Sequence, residues 1–240
     1  MSDEMVHLST REKRALLCRC DLFGRAGDEA LDALARAAEL REVETGAVLV
    51  RQGAEADALY LLVHGGAEVR LEAGEDEDGV VLDQVGPGAL VGEISVLTDE
   101  PRTATVRAVD MLIALRVPRE AMLTTLAEHP DLAHDVWTSV ARRRLEGLLA
   151  ASHRFAGQGE QARHWLAGGV SPVFLARRSA QILSCPGTLF VVSGQVEAET
   201  ELGWTCVRGP ALLPCIGPVE CHARTDAVVA AGPPLAGLRG

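Results

Sequence analysis

Between Gly88 and Val106 the chain reads GALVGEISVLTDEPRTATV, and the side chains there suit one kind of chemistry. Gly92 lets a backbone approach a ligand without a Cβ in the way. Amides at the start of a short helix or nest point outward and favour negative charge. Arg102 supplies a rigid fork of donors that matches phosphate. Glu93 only accepts at neutral pH, so its partner is a donor such as a sugar hydroxyl and not the phosphate. Ser95 and Thr103 add small hydroxyls, and Ile94 begins the apolar run to Leu97. A glycine, a carboxylate, two hydroxyls and an arginine in so short a stretch predict a site for a small anion that carries a sugar.

The order of these residues resembles the phosphate-binding cassette of the cyclic-nucleotide-binding domain, the family of the catabolite activator protein and the kinase A regulatory subunits. That pattern is Gly-Glu-x-small-apolar, a short spacer, then Pro-Arg-small-Ala-Ser/Thr-Val. It stands here as Gly92-Glu93-Ile94-Ser95-Val96-Leu97 and Pro101-Arg102-Thr103-Ala104-Thr105-Val106, with no position missing. The resemblance implies that Arg102 pairs with a cyclic phosphate and Glu93 takes the ribose 2′-OH. Amides near Ile94 and Ser95, with Thr103, complete the cradle. The ligand it implies is cAMP or cGMP, with no metal. Thr103 is compatible with either base. The use of Arg over Lys, with Lys13 the sole lysine, fits a GC-rich bacterial genome and inclines the choice to cAMP.

The elements that must hold this cassette are also marked. Ser9-Thr10-Arg11-Glu12 reads as a capping box for a helix to about Cys18. Asp28 is expected to cap a second helix, with Leu31, Leu34, Ala35 and Ala38 on one face. From Ala38 to Arg116 the texture changes to short apolar runs cut by glycines, which predicts a small barrel or jelly roll. The acidic stretch Glu72 to Asp78 reads as an exposed hairpin tip. Asp110–Leu115 is the closing strand, Arg119–Ala127 a short helix, and Asp131 the cap of a long helix to about Phe155. The apolar stripe of that helix includes Leu132, Val136, Val140 and Leu148.

By resemblance the long helix is the one that covers the base and forms a dimer seam. Trp137, Val140 and Arg144 are the lid candidates, and a stripe that only packs on the barrel is the open alternative. The expected fold class is α+β: a β jelly-roll (double-stranded β-helix) barrel flanked by helices, followed by a smaller degenerate β module. The expected divisions are 1–20, an N-terminal helix; 21–130, the nucleotide-binding domain; 131–155, the long helix; 156–172, a linker with a short helix at 162–167; and 173–240, the β module. Leu189–Glu197 mirrors Leu59–Val69, but the later module lacks both halves of the cassette. A looser likeness links Asp131–Gly240 to the cytosolic tails of sodium/proton antiporters.

Composition narrows the function. The 240 residues carry a net charge of −11, which disfavours a nucleic-acid surface. No run is long or apolar enough to span a membrane, and Met1 begins no basic, apolar leader. A cytoplasmic protein with reduced thiols is therefore expected, since its six cysteines show no Cys-x-x-Cys spacing. His64 stands alone in the barrel region, so no metal centre is expected. No catalytic constellation is visible, and no helix-turn-helix follows the long helix. The expectation is a cyclic-nucleotide sensor that is not an enzyme, acts through an unidentified protein partner and can form a homodimer through 131–155. The alternative is a non-binding scaffold or a regulatory tail beside a membrane transporter.

Overall fold

The capping box at Ser9 forms as its residues dictate. The Glu12 amide donates to Ser9 Oγ at 3.3 Å, and the Ser9 amide donates back to Glu12 Oε2 at 2.8 Å. It starts α1 (Thr10–Cys18), which packs on α2 (Asp28–Ala37). Here Gly27, without a side-chain bond, is the cap and Asp28 the first helical residue, a correction to the expected Asp28 cap. Asp28 still serves the helix, because its carboxylate sits in the first turn beside the positive end of the dipole. The computed structural model describes residues 8–73, 76–151, 172–185, 187–200, 203–215 and 217–232. The expected helix at 162–167 and the end of the long helix at 152–155 lie outside them.

Two compact units divide the chain, Met1–Val136 and Trp137–Gly240. Among the described residues the first unit holds eight strands: β1 (Glu39–Val43), β2 (Val48–Val50), β3 (Ala58–His64), β4 (Ala67–Ala73), β5 (Asp76–Val85), β6 (Leu90–Val91), β7 (Thr105–Ala108) and β8 (Leu112–Pro118). They pair antiparallel in two four-stranded sheets, β1-β8-β3-β6 and β2-β7-β4-β5. Alternate residues of both sheets point inward. Ala58, Tyr60 and Leu62 from one meet Val50, Ala67 and Val106 from the other in one apolar cluster. The sheets stay open at their edges, so the barrel expected from the glycine spacing is an open jelly-roll-like pair of sheets. Short α3 (Glu93–Thr98) lies between β6 and β7, and α4 (Arg119–Glu128) follows β8.

Strands β4 and β5 form the expected hairpin, with Ala73 paired to Asp76. The correction is at Glu72. Glu72 is not a wet charge at a tip. It accepts from Thr105 Oγ1 at 2.6 Å, and its amide donates to Gln52 Oε1 at 2.8 Å. A buried hydroxyl on the neighbouring strand outweighs the repulsion that the run of acids suggested.

Helix α5 (Pro130–Ala151) begins one residue before the expected cap, and the boundary between the units falls within it. Leu132, Val136, Val140 and Leu145 are buried in the single chain, and Leu148 is half-buried. Among the described residues, no helix is long and apolar enough to cross a membrane.

The second unit contains β9 (Pro172–Leu175), β10 (Ala180–Cys185), β11 (Thr188–Ser193), β12 (Gln195–Thr200), β13 (Gly203–Arg208), β14 (Ala211–Pro214), β15 (Gly217–Ala223) and β16 (Ala227–Gly232). Their orders are β14-β11-β16-β9 and β10-β15-β12-β13. Read strand for strand, these are the two orders of the first unit. Leu175, Leu189, Val191 and Val229 meet Leu183, Val196, Val219 and Cys221 in the core between the sheets. Cys185 and Cys215 form a disulfide, which corrects the expectation of reduced thiols throughout. Sequence spacing misses this pair because strand pairing brings together residues 30 apart.

Candidate functional site

Strand β6 delivers the chain to Gly92, which adopts φ 80 and heads α3 without a side-chain cap. The conformation favours glycine, and space requires it as well: a Cβ on Gly92 would overlap Arg102 Nη1. Helix α3 ends at Asp99, itself left-handed at φ 57, and the turn through Pro101 brings the chain to Arg102 and then β7. The Ser95 hydroxyl ties this loop by donating to the Pro101 carbonyl at 3.2 Å. Strand, short helix, turn and strand thus put Glu93 and Arg102 on one opening.

Arg102 is only 5% exposed. Its Nη1 donates to the Gly92 carbonyl at 2.9 Å and its Nη2 to the Ala58 carbonyl at 2.5 Å. Nη2 also faces Asp57 Oδ1 at 3.4 Å. The backbone is pinned too, with the Arg102 amide on Ala54 O at 2.9 Å and the Gly53 amide on Arg102 O at 2.8 Å. Burial pulls its pKa below the ordinary value, against the opposing charges of Tyr60, Asp57 and Glu93. An arginine nevertheless keeps its proton in a protein. Of the five N–H donors these bonds use three, leaving Nε–H and one on Nη1. The guanidinium is therefore oriented before any ligand arrives, with donors left over.

All six residues expected from the sequence line one pocket of about 140 Å³: Gly92, Glu93, Ile94, Ser95, Arg102 and Thr103. Glu93 is 4% exposed, Ser95 and Arg102 are buried, Ile94 is half-buried and Thr103 is exposed. Val50, Val69 and Val106 give the pocket an apolar wall. A cation, an acceptor-only carboxylate and an apolar wall together suit a ligand that is part anion, part polyol and part flat hydrophobe. A larger cavity of about 260 Å³ opens between residues 53–56 and 99–101. It is lined by Glu55, Asp99 and Glu100 with Arg119, which pairs with Asp99 at 2.9 Å, so carboxylates outnumber the one cation there.

Sequence spacing missed Asp57, 45 residues before Arg102. It sits just ahead of β3, where Arg116 of β8 donates from Nη2 to its Oδ2 at 2.8 Å. The Arg119 amide takes its carbonyl at 2.8 Å. The Arg116 hydrogen bond, helped by the charges of Arg116 and Arg102, holds the Asp57 carboxyl below its ordinary range despite some desolvation. A depressed carboxylate contributes stability above the unfolded value of about 3.9 and loses it as pH falls through the folded one. Asp57→Asn is expected to weaken ligand affinity by roughly two- to five-fold, as a 61% exposed ion pair warrants. It should also flatten the drop in melting temperature below about pH 4. Thermal melts of both proteins across that range check the second point.

The lid candidates Trp137, Val140 and Arg144 belong to the second unit. There the Trp137 ring meets Phe174 edge-on with centroids 5.7 Å apart, Val140 is buried, and Arg144 Nη1 donates to the Val192 carbonyl at 2.6 Å. His64 is exposed, and no metal-ligand cluster occurs among the described residues.

Comparison with known proteins bears on the first unit. Residues 40–129 match the family model described as the cyclic nucleotide-binding domain. The chain is 35% identical over 140 residues to the acetyltransferase Pat of Mycolicibacterium smegmatis, covering 58% of this chain and 41% of that protein. It is 32% identical over 146 residues to the HTH-type transcriptional regulator Cmr of Mycobacterium tuberculosis, covering 56% and 58%. Among solved structures it resembles the sensor domain of the transcriptional regulator DNR from Pseudomonas aeruginosa, with 25% identity and a TM-score of 0.51, covering 60% of this chain and 95% of that one. The match thus spans less than two thirds of either curated relative. One is named an acetyltransferase and the other a transcriptional regulator, so the shared segment does not carry one fixed output. The likeness to antiporter tails finds no support in these comparisons.

Proposed function

We propose, starting from the cyclic nucleotide-binding domain that residues 40–129 match, that this chain is a cytoplasmic cyclic-nucleotide sensor with cAMP as its ligand. The observation that carries the proposal is the convergence of all six cassette residues on one pocket around a buried, preoriented arginine. The cyclic phosphate takes the remaining donors of Arg102 and the first amides of α3. Glu93 accepts the ribose 2′-OH, and the base lies toward the wall of Val50, Val69 and Val106. The output is movement of α5. A lid role for Trp137 or Arg144 requires release from Phe174 and the Val192 carbonyl, so those contacts set the cost of closing. The net charge of −11 supports a protein partner over nucleic acid.

Calorimetric titration with cAMP and then cGMP tests the proposal. Saturable binding supports it, and the ratio of the two affinities names the messenger. No heat and no thermal shift with either, in nucleotide-free protein, would overturn it in favour of a non-binding scaffold. The ribose assignment has its own check. Glu93→Gln replaces a charged acceptor by a neutral amide, so the preference for cAMP over its 2′-deoxy analogue should fall about five- to ten-fold. An unchanged ratio would remove Glu93 from the ribose.

A further inference from the structure

The second unit carries a tie of its own where the first unit carries the cassette. In the first unit the Val109 amide donates to Gly66 O, one position past the pair Ala108–Ala67. In the second, the Arg224 amide donates to Gln195 O, one position past the pair Ala223–Val196. Ala223 therefore stands where Ala108 does. Counting back along β15 and β7 from that pair puts Gly217 at the position of Arg102. The neighbouring strand agrees: Arg102 exchanges backbone bonds with Gly53 and Ala54 just beyond β2, and Gly217 pairs with Cys185 at the end of β10.

The two positions are furnished differently. In the first unit residues 92–104 link β6 to β7 and include α3, whereas only residues 215–216 link β14 to β15. This short link brings Cys215 onto Cys185. Its amide donates to the Gly187 carbonyl at 3.0 Å. The first unit's tie is the Arg102 side chain, which crosses from the entry of β7 to the Ala58 carbonyl in the opposite sheet. The second unit's tie also joins the sheets, because Cys185 ends β10 in one and Cys215 follows β14 in the other. Both sulfurs are buried in the core end.

We propose that the Cys185–Cys215 pair is a redox-controlled tie that replaces the ligand cassette, so that the second unit responds to thiol–disulfide balance where the first responds to a nucleotide. Forming the bond removes two protons and two electrons from the two thiols. A low-molecular-weight disulfide accepts them and leaves as two thiols, and a dithiol reverses the exchange. The other buried thiol of this core, Cys221, does not compete: desolvation pushes it up to about 11, so the nucleophilic thiolate is scarce at neutral pH. With the bond open, Cys215 keeps its amide bond to the Gly187 carbonyl and β10 keeps its ladder with β15, but the covalent link between the sheets is gone. The proposal does not depend on which ligand the first unit binds.

The test uses the full chain equilibrated with glutathione disulfide or with dithiothreitol. After denaturation the oxidised chain should take up four alkylating groups, at Cys18, Cys20, Cys206 and Cys221, and the reduced chain six. Peptide mapping should join Cys185 to Cys215. Hydrogen exchange should then speed by on the order of ten-fold or more at 180–185 and 211–219 on reduction, with 40–129 unchanged. The Cys185→Ser/Cys215→Ser double variant should match the reduced chain and ignore both reagents. Six alkylated cysteines in the oxidised chain, a different pairing, or equal exchange in both wild-type forms would overturn the proposal. The wild-type comparison decides even if the double variant does not fold.

Discussion

Arg102→Ala should abolish measurable nucleotide binding and lower the melting temperature of the first unit together. A charge-assisted hydrogen bond is worth about 1.5–3 kcal/mol, which sets a floor of roughly 10- to 150-fold in affinity. The structure adds a second loss. The guanidinium donates to the Gly92 and Ala58 carbonyls. After truncation the Gly92 carbonyl keeps the Val96 amide at 3.3 Å, while the Ala58 carbonyl loses its arginine donor. That loss costs about 1–3 kcal/mol, and on the order of 2 kcal/mol would move the midpoint by roughly 6 °C. Arg102→Lys separates the two effects. It keeps the charge, but one ammonium cannot span both carbonyls and a phosphate, so weak binding should persist with much of the stability loss. An Arg102→Ala protein that folds and binds cAMP with an unchanged dissociation constant would remove the phosphate assignment.

Gly92→Ala should cost nearly as much, although it changes no charge. An alanine at φ 80 carries about 1–2 kcal/mol of backbone strain, and its Cβ overlaps Arg102 Nη1. Relief requires either α3 or the guanidinium to move, and the cradle is built from both. Affinity should fall more than roughly ten-fold, as for loss of one charged hydrogen bond. Gly46→Ala is the control. Gly46 has φ 81, but a Cβ there meets nothing within 4 Å. It therefore carries the backbone strain without the overlap. If both variants lose stability and only Gly92→Ala loses binding, the overlap with Arg102 is the cause. If both bind like the wild type, the close approach of Gly92 to Arg102 does not position the site.

These two predictions differ in how much of their basis could be read along the chain. The expectation that Arg102 faces a phosphate rests on a pattern whose members lie within a dozen positions, because one strand, one short helix and one turn suffice to bring them together. That Arg102 also holds Ala58 and faces Asp57 does not follow. Ala58 opens β3 and Asp57 sits just ahead of it, and nothing local to Arg102 indicates which strand will cross beneath it. Glu72 shows the same limit: its neighbours in sequence are acids, whereas its partner in space is a buried threonine. The cysteines show it most clearly. Spacing rules recognise pairs a few residues apart, but Cys185 and Cys215 meet through the pairing of β10 with β15 and the short link after β14.

By itself, then, the sequence determined which residues make up the cassette, the helices on either side of it and the succession of short strands in both halves. These depend on period, capping and turn residues, which act over a few positions. Only the tertiary structure decided that the sheets stay open, that Arg102 is anchored before any ligand arrives, that the Arg144 side chain is held at Val192, and that a disulfide stands at the second unit's counterpart of the cassette. Each of these rests on contacts between strands or helices far apart in the chain. Their register is set by burying both inner faces of a pair of sheets at once, a constraint that no short window of residues contains.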